Sequence, residues 1–188
     1  MRIIVDLDGT LSDFSWGKVL GLDVPEPTCY NPCDFYGLSR ETINKYIYKA
    51  FKYNPQWFTP KPEAVEVLQM AYDDGADIYF YTNRLDFVNK IDVESWLITH
   101  GVPFAAVTNK LVELPLVADV AIDDNPTKLL ELEGIAEKLL LFDAPWNFSM
   151  NLGGRLIRVY DWNDIGRIVG EELDEWADGA IKELFNGQ

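Results

Sequence analysis

The sequence predicts an α/β protein with a doubly wound, mostly parallel sheet, and two observations support this prediction. Short apolar runs at residues 3–5, 76–81 and 117–122 are typical of strands that are buried on both faces. Stretches with helical periodicity and helix-capping residues separate these runs. Because strands and helices alternate, we expect right-handed crossovers and helices on both faces of the sheet.

Composition bounds the size and class of the protein. The chain has 188 residues, enough for one full core and a small inserted subdomain. It is 48% hydrophobic and 25% charged, which is ordinary for a soluble globular protein. No apolar run approaches the ~20 residues that span a bilayer, and a strand begins almost at residue 1, leaving no room for a signal peptide. We therefore expect a cytoplasmic protein without a membrane partner.

Charge and cysteine content exclude several further classes. The formal net charge of −15 argues against broad binding to nucleic-acid polymers or anionic membranes. Cys29 and Cys33 are the only cysteines and have no nearby histidine, so neither a zinc site nor a disulfide framework is expected. If the ligand is a phosphate ester, a metal ion and a few lysines or arginines must make its site locally cationic.

The first strand, residues 3–5, ends in two carboxylates. Asp6 and Asp8 follow it at once, and Gly9 can turn the chain sharply behind them. Ligands of open α/β sheets bind beyond the carboxyl ends of the strands. Two carboxylates this close repel each other unless a cation or a proton neutralises them. This strand end is therefore the first candidate for chemistry.

Residues 21–59 interrupt the regular pattern and predict a small helical cap, hereafter the cap segment. Five prolines fall between residues 25 and 60, and a helix is expected from about Ser39, as N-cap, to Phe51. Residues 1–20 and 60–188 then form the α/β core domain. Residues 14–58 hold 11 of the 25 aromatic residues. They suit the core of a subdomain, and some could face a pocket and stack on a flat ring such as a nucleobase.

The elements after the cap segment follow in regular order. A helix starts at residues 59–63 and ends at Gly75, where glycine suits a helix C-terminus. Pro126 suits the first turn of a short helix that ends near residue 132. The remaining predicted strands are 76–81, 104–107, 117–122, 139–142 and 156–159, and the other helices are 86–99 and 161–185.

Four of the predicted strand ends carry polar side chains that together suit phosphoryl transfer. They are Asp6 with Asp8, Thr82, Lys110, and Asp123 with Asp124. Asp6 is the candidate nucleophile, and Asp8 is the candidate general acid and base. Asp6, the Asp8 carbonyl and Asp123 or Asp124 could hold Mg²⁺, a hard cation that prefers oxygen ligands. Thr82 and the lysine would hold the phosphoryl oxygens.

Two lysines compete for the last role. Lys110 follows a predicted strand and precedes Asp123 by 13 residues, whereas Lys128 follows the acid pair on a predicted helix. We take Lys110 as the catalytic lysine.

The order of these motifs resembles the haloacid dehalogenase superfamily, across roughly residues 1–130. The string from Asp6 to Thr10 is similar to its first motif, and the paired acids Asp6 and Asp8 are typical of its phosphatases and phosphotransferases. The resemblance implies a Mg²⁺-dependent enzyme that acts through an aspartyl-phosphate.

The flanking segments resemble the 5′(3′)-deoxyribonucleotidase family within that superfamily. These segments are the aromatic cap, residues 122–126, 144–147 and 158–162. The resemblance implies a nucleoside monophosphate as substrate, with the base against Phe14, Trp16, Trp57 and Phe58. The sequence departs from that family at Asn83 and Arg84, where those enzymes have smaller residues. Arg84 could bind phosphate, pair with an acid or serve a different substrate, and we count both residues as substrate-binding candidates.

We therefore expect a phosphomonoesterase for a small phosphorylated metabolite, most simply a 5′-nucleotidase. Two alternatives stay open. One is a phosphatase or phosphotransferase for another small metabolite, and the other is a non-catalytic binding protein that keeps the fold and the metal. The oligomeric state does not follow from the sequence.

Overall fold

The computed structural model describes residues 1–21, 23–29, 31–149 and 153–186. Its described strands form one six-stranded sheet in which all neighbours are parallel, in the order β3-β2-β1-β4-β5-β6. The strands are β1 (Arg2–Val5), β2 (Asp77–Tyr81), β3 (Ala106–Thr108), β4 (Ala118–Asp123), β5 (Ala136–Phe142) and β6 (Ile157–Val159). The predicted fold class is confirmed.

Seven α-helices connect and cover the described strands. They are α1 (Trp16–Leu20), α2 (Pro32–Tyr36), α3 (Arg40–Tyr53), α4 (Ala64–Asp73), α5 (Lys90–Thr99), α6 (Pro126–Glu131) and α7 (Trp162–Asn186). The Ser39 side chain accepts from the Thr42 N–H at the start of α3, as predicted. The helix predicted from residue 86 begins at Lys90 instead, because residues 83–86 form a 3-10 turn. None of the described helices is long and apolar enough to cross a bilayer.

The apolar core lies on both faces of the sheet. The larger cluster includes Leu7, Leu68 and Phe80, and it continues into α3 through Ile43 and Phe51. A smaller cluster on the other face contains β-strand residues and side chains of α6. The chain order reverses at β1, which lies between β2 and β4. A crevice is expected beyond the strands at such a reversal, and the acidic residues lie there.

Candidate active site

The site is built where β1, β2 and β4 end side by side. The strand register brings Val5 next to Phe80 and Ile122, and the Asp6 N–H donates to the Ile122 carbonyl at 2.9 Å. Asp6 therefore leaves β1 beside Asp123, the last residue of β4. Parallel pairing of two buried apolar strands thus places acids from distant parts of the sequence together.

Asp6, Asp123 and Asp124 form a buried carboxylate cluster. One oxygen from each lies within 4.8 Å of the others, and the three residues are 7%, 2% and 5% exposed. Burial disfavours their charged forms and raises the pKa of Asp6 and, further, that of Asp123. Burial and the Asp6 charge raise the pKa of Asp124 to about 7. Three buried carboxylates held this close fit a hard divalent cation such as Mg²⁺.

Gly9 allows the loop after β1 to pass close to this cluster. Its φ is +92°, in the region that favours glycine. A Cβ at this position would lie 2.6 Å from Asp124 Oδ2. Any side chain at residue 9 would therefore displace the Asp124 carboxylate.

The lysine at the cluster is Lys128, on α6. Its Nζ donates to Asp6 Oδ1 at 2.9 Å and to the Tyr81 carbonyl at 2.7 Å, and it lies 3.7 Å from Asp123 Oδ2. Burial acts to lower the pKa of Lys128, but the charges of Asp6 and Asp123 outweigh burial and raise it. Lys128 is therefore a protonated ammonium against the candidate nucleophile.

The structure does not bring Lys110 to the site. Its side chain is 65% exposed and forms an ion pair with Glu113 at 2.9 Å. Lys110 follows β3, the edge strand, whereas α6 begins directly after the central strand β4. The choice of Lys110 over Lys128 is corrected here.

Asp8 lies outside the carboxylate cluster and pairs with Arg84. The Arg84 Nε donates to Asp8 Oδ2 at 3.0 Å, and its Nη2 donates to Asp8 Oδ1. The Asp8 side chain is therefore not one of the clustered acids. Metal binding by the Asp8 backbone carbonyl stays a prediction. Thr82 directly follows β2, and its Oγ1 accepts from the Arg84 N–H at 3.1 Å.

A loop after β5 supports Asp124 from the outer side. The Trp146 indole N–H donates to Asp124 Oδ2 at 2.7 Å. The fully buried Asn147 donates to the carbonyls of Asp124 and Phe142, both at 2.8 Å, and accepts from Arg158. The residues 144–147 stood out in the sequence only through a resemblance, and nothing in their pattern pointed to contact with an acid.

A cavity of about 470 Å³ opens over the site. Its lining includes Asp6, Asp8, Thr82, Asn83, Arg84, Asp123, Asp124, Lys128, Phe14 and Trp16, together with side chains of the cap segment. Trp57 and Phe58 are not in that lining. Phe58 is 2% exposed and packs against Phe14 and Phe51. Phe58 is therefore a core residue, whereas Trp57 is half-buried and packs against that core. Contact between Trp57 and a base stays a prediction.

No profile of a known protein family matches the chain, and no curated protein matches it. Solved structures do resemble it. A predicted phosphatase from Clostridium acetobutylicum has a TM-score of 0.66 at 14% identity, covering 90% of this chain and 98% of its own. A hydrolase from Pseudomonas syringae has a TM-score of 0.59 at 15% identity, covering 90% and 98%.

A haloacid dehalogenase-like hydrolase from Streptococcus pneumoniae has a TM-score of 0.56 at 15% identity, covering 89% and 97%. All three matches extend over nearly the whole length of both chains. The chain therefore has the fold of the haloacid dehalogenase-like hydrolases.

Proposed function

We propose that this protein is a Mg²⁺-dependent phosphomonoesterase of the haloacid dehalogenase superfamily, acting through an aspartyl-phosphate on Asp6. The arrangement around Asp6 is the observation that supports this most. A lysine ammonium lies 2.9 Å from its carboxylate, two further acids lie within 4.8 Å, and Asp8 lines the same cavity. A nucleophile, a cation, a metal-binding acid pair and an acid–base residue are the parts that this chemistry requires.

The metal would be held by Asp6, the Asp8 backbone carbonyl and the acids Asp123 and Asp124. Bound there, Mg²⁺ would offset the charge repulsion between an anionic nucleophile and an anionic phosphate ester. The raised pKa values of Asp6, Asp123 and Asp124 support this assignment, because three buried acids face one lysine.

The side chains of this protein would divide the reaction into two steps. An Asp6 oxygen attacks phosphorus and the bond to the ester oxygen breaks, while Asp8, which enters this step in its protonated form, gives that oxygen its proton and becomes a carboxylate. Water then attacks the phosphorus of the acyl phosphate, Asp8 takes up a proton from the water, and phosphate leaves with Asp6 restored. Lys128 holds Asp6 in place throughout, and Thr82 and Asn83 lie where they can bind phosphoryl oxygens.

Within this function we propose a nucleoside monophosphate as the substrate, and the residues that line the cavity support this choice. Phe14 and Trp16 lie in the lining with ring centroids 5.1 Å apart, and aromatic faces bind flat bases by stacking. Asn31, Arg40 and Asn44 of the cap segment line the same cavity and can bind polar edges of a base or sugar. A small soluble metabolite also agrees with the net charge of −15, which disfavours polymeric nucleic acid.

The deciding experiment measures phosphate release from a substrate panel with Mg²⁺, repeated with EDTA. The panel holds nucleoside monophosphates, sugar phosphates and p-nitrophenyl phosphate. We expect EDTA-sensitive turnover that favours nucleotides, and its loss in Asp6→Asn. Asp13→Asn is the matched control, because Asp13 is an exposed acid paired with Lys61.

Each other outcome has a defined meaning. Turnover of sugar phosphates alone would keep the chemistry and replace the substrate. Transfer of phosphate to a second metabolite would make the protein a phosphotransferase. If no ester is hydrolysed, the phosphomonoesterase proposal fails and a binding protein with this fold takes its place.

A further inference from the structure

Arg84 is a buried cation whose hydrogen bonds go to Asp8 and its neighbours. Its side chain is 4% exposed. Nε reaches Asp8 Oδ2 at 3.0 Å, while Nη2 donates to Asp8 Oδ1 and to Ser12 Oγ at 3.1 Å. Two parallel donors on one carboxylate fix its rotation as well as its position.

Aromatic rings hold the guanidinium from the other side. Its central carbon lies 4.8 Å from the Phe51 ring centroid, 5.0 Å from that of Trp96 and 5.3 Å from that of Phe58. The Trp96 indole donates to the Phe58 backbone carbonyl at 2.9 Å, which fixes the Trp96 ring against the chain at Phe58. A weakly hydrated guanidinium suits such a ring cage. The place of Arg84 is thus set by the protein, without a ligand.

We propose that Arg84 is a positioning residue that acts through Asp8, and not a residue that binds the substrate phosphate. The Arg84 Nε and Nη2 donors, which together could hold a phosphate by two parallel bonds, are both bonded to Asp8, and three aromatic rings pack against the guanidinium. Asp8 is thereby held facing the cavity, where the leaving oxygen of the substrate must lie. This inference rests on the proposed phosphomonoesterase function and assigns a role to a residue for which the sequence left three roles open.

A double-mutant cycle tests the proposal with Arg84→Gln, Asp8→Asn and the double variant. Each is assayed with p-nitrophenyl phosphate, whose leaving group needs little help from an acid, and with β-glycerophosphate, which needs that proton. Arg84→Gln is expected to lower kcat about tenfold or more for β-glycerophosphate, with a smaller loss for the nitrophenyl ester. Added to Asp8→Asn, it is expected to cause no further loss.

Equilibrium binding of inorganic phosphate supplies a readout that does not depend on turnover. Calorimetry in the presence of Mg²⁺ is expected to give the same Kd for the wild type and Arg84→Gln. Arg84→Lys is expected to behave like Arg84→Gln, because an ammonium cannot offer two parallel donors. Arg155→Gln is the matched control, since Arg155 is exposed and pairs with Glu133 far from the cavity lining.

Equal losses with both esters, additivity with Asp8→Asn and weaker phosphate binding would together overturn the proposal and make Arg84 a phosphate ligand. If Arg84→Gln does not fold, Phe58→Leu replaces it, because Phe58 packs on the guanidinium without lining the cavity. The same loss, selective for β-glycerophosphate, is expected of Phe58→Leu, and an equal loss with both esters would overturn the proposal. A wild-type chain that hydrolyses neither ester would overturn the proposed function itself.

Discussion

Lys128 is the residue whose charge the proposed reaction depends on most directly. We expect Lys128→Met to lower kcat by about 10²-fold or more, the usual cost of removing a charged donor from such a site. Lys110→Met is the matched control, because Lys110 pairs with Glu113 on the surface, and its kcat should equal that of the wild type. Steady-state kinetics with saturating Mg²⁺ measures both. A larger loss in Lys110→Met than in Lys128→Met would restore the assignment made from sequence.

The raised pKa values of the carboxylate cluster predict how Mg²⁺ binding depends on pH. In the metal-free folded chain Asp124, with a pKa of about 7, keeps a proton that the unfolded chain loses near its ordinary carboxyl pKa. Between those two pH values the folded state binds more protons than the unfolded state. The contribution of Asp124 to the free energy of unfolding therefore falls as the pH rises toward 7. If Mg²⁺ binds there as proposed, it would replace the proton and offset this loss of stability.

We therefore expect Mg²⁺ to raise Tm more at pH 8 than at pH 5.5. Thermal unfolding at both values, with and without the ion, measures the difference, and KCl of equal ionic strength is the control. The same Mg²⁺-induced shift at both values would contradict a metal site made of these acids.

At the scale of elements, the loop after β5 is the part of the site that sequence reasoning missed. Asn147 is fully buried and satisfies the carbonyls of Asp124 and Phe142, and Arg158 donates to it. We expect Asn147→Ala to lower the free energy of unfolding by about 2–4 kcal/mol, because buried polar groups lose their partners. The Mg²⁺ affinity should fall as well, since Asp124 loses its support.

Denaturant unfolding and calorimetric Mg²⁺ titration test this role of Asn147. Asn109→Ala is the control, because Asn109 bonds only the exposed Asp86 side chain among the described contacts, and a change within about 0.5 kcal/mol is expected there. Unaltered Mg²⁺ binding by Asn147→Ala would limit the loop to a structural role.

The elements also explain which parts of the site the sequence could predict. The ends of β1, β2 and β4 were readable, because apolar runs followed by Asp6, Thr82 and Asp123 place these groups at one edge of a parallel sheet. Lys128 was not chosen, because its reach from α6 back to Asp6 depends on how that helix packs on the sheet. Phe58 was misplaced for a similar reason, since an aromatic residue near a cavity has the same sequence signal whether it packs inward or faces the ligand.

At the scale of the whole molecule, the cap segment and the sheet share one apolar cluster. Ile43, Ala50 and Phe51 of α3 belong to the same cluster as Leu7 and Phe80 of the strand side. Arg84 also connects the cap segment with the loop after β1, because its guanidinium contacts the Phe51 ring and donates to Asp8. The boundaries of the cap segment at residues 21 and 59 therefore stay a prediction from the sequence. They do not imply that the cap segment folds independently of the sheet.

This shared core predicts that the chain unfolds in a single cooperative transition. Far-UV circular dichroism follows the helices, near-UV circular dichroism follows the aromatic residues concentrated in residues 14–58, and the two melting curves should coincide in EDTA. Phe51→Ala removes a buried ring and should lower stability by about 3 kcal/mol, which lowers the one Tm by about 6–12 °C. Tyr53→Ala is the control on the same helix, because Tyr53 is 63% exposed. A separate early transition in both curves, moved by Phe51→Ala while the main transition stays fixed, would mean that the cap segment unfolds independently. Asp8 could then lose its Arg84 support without loss of the sheet.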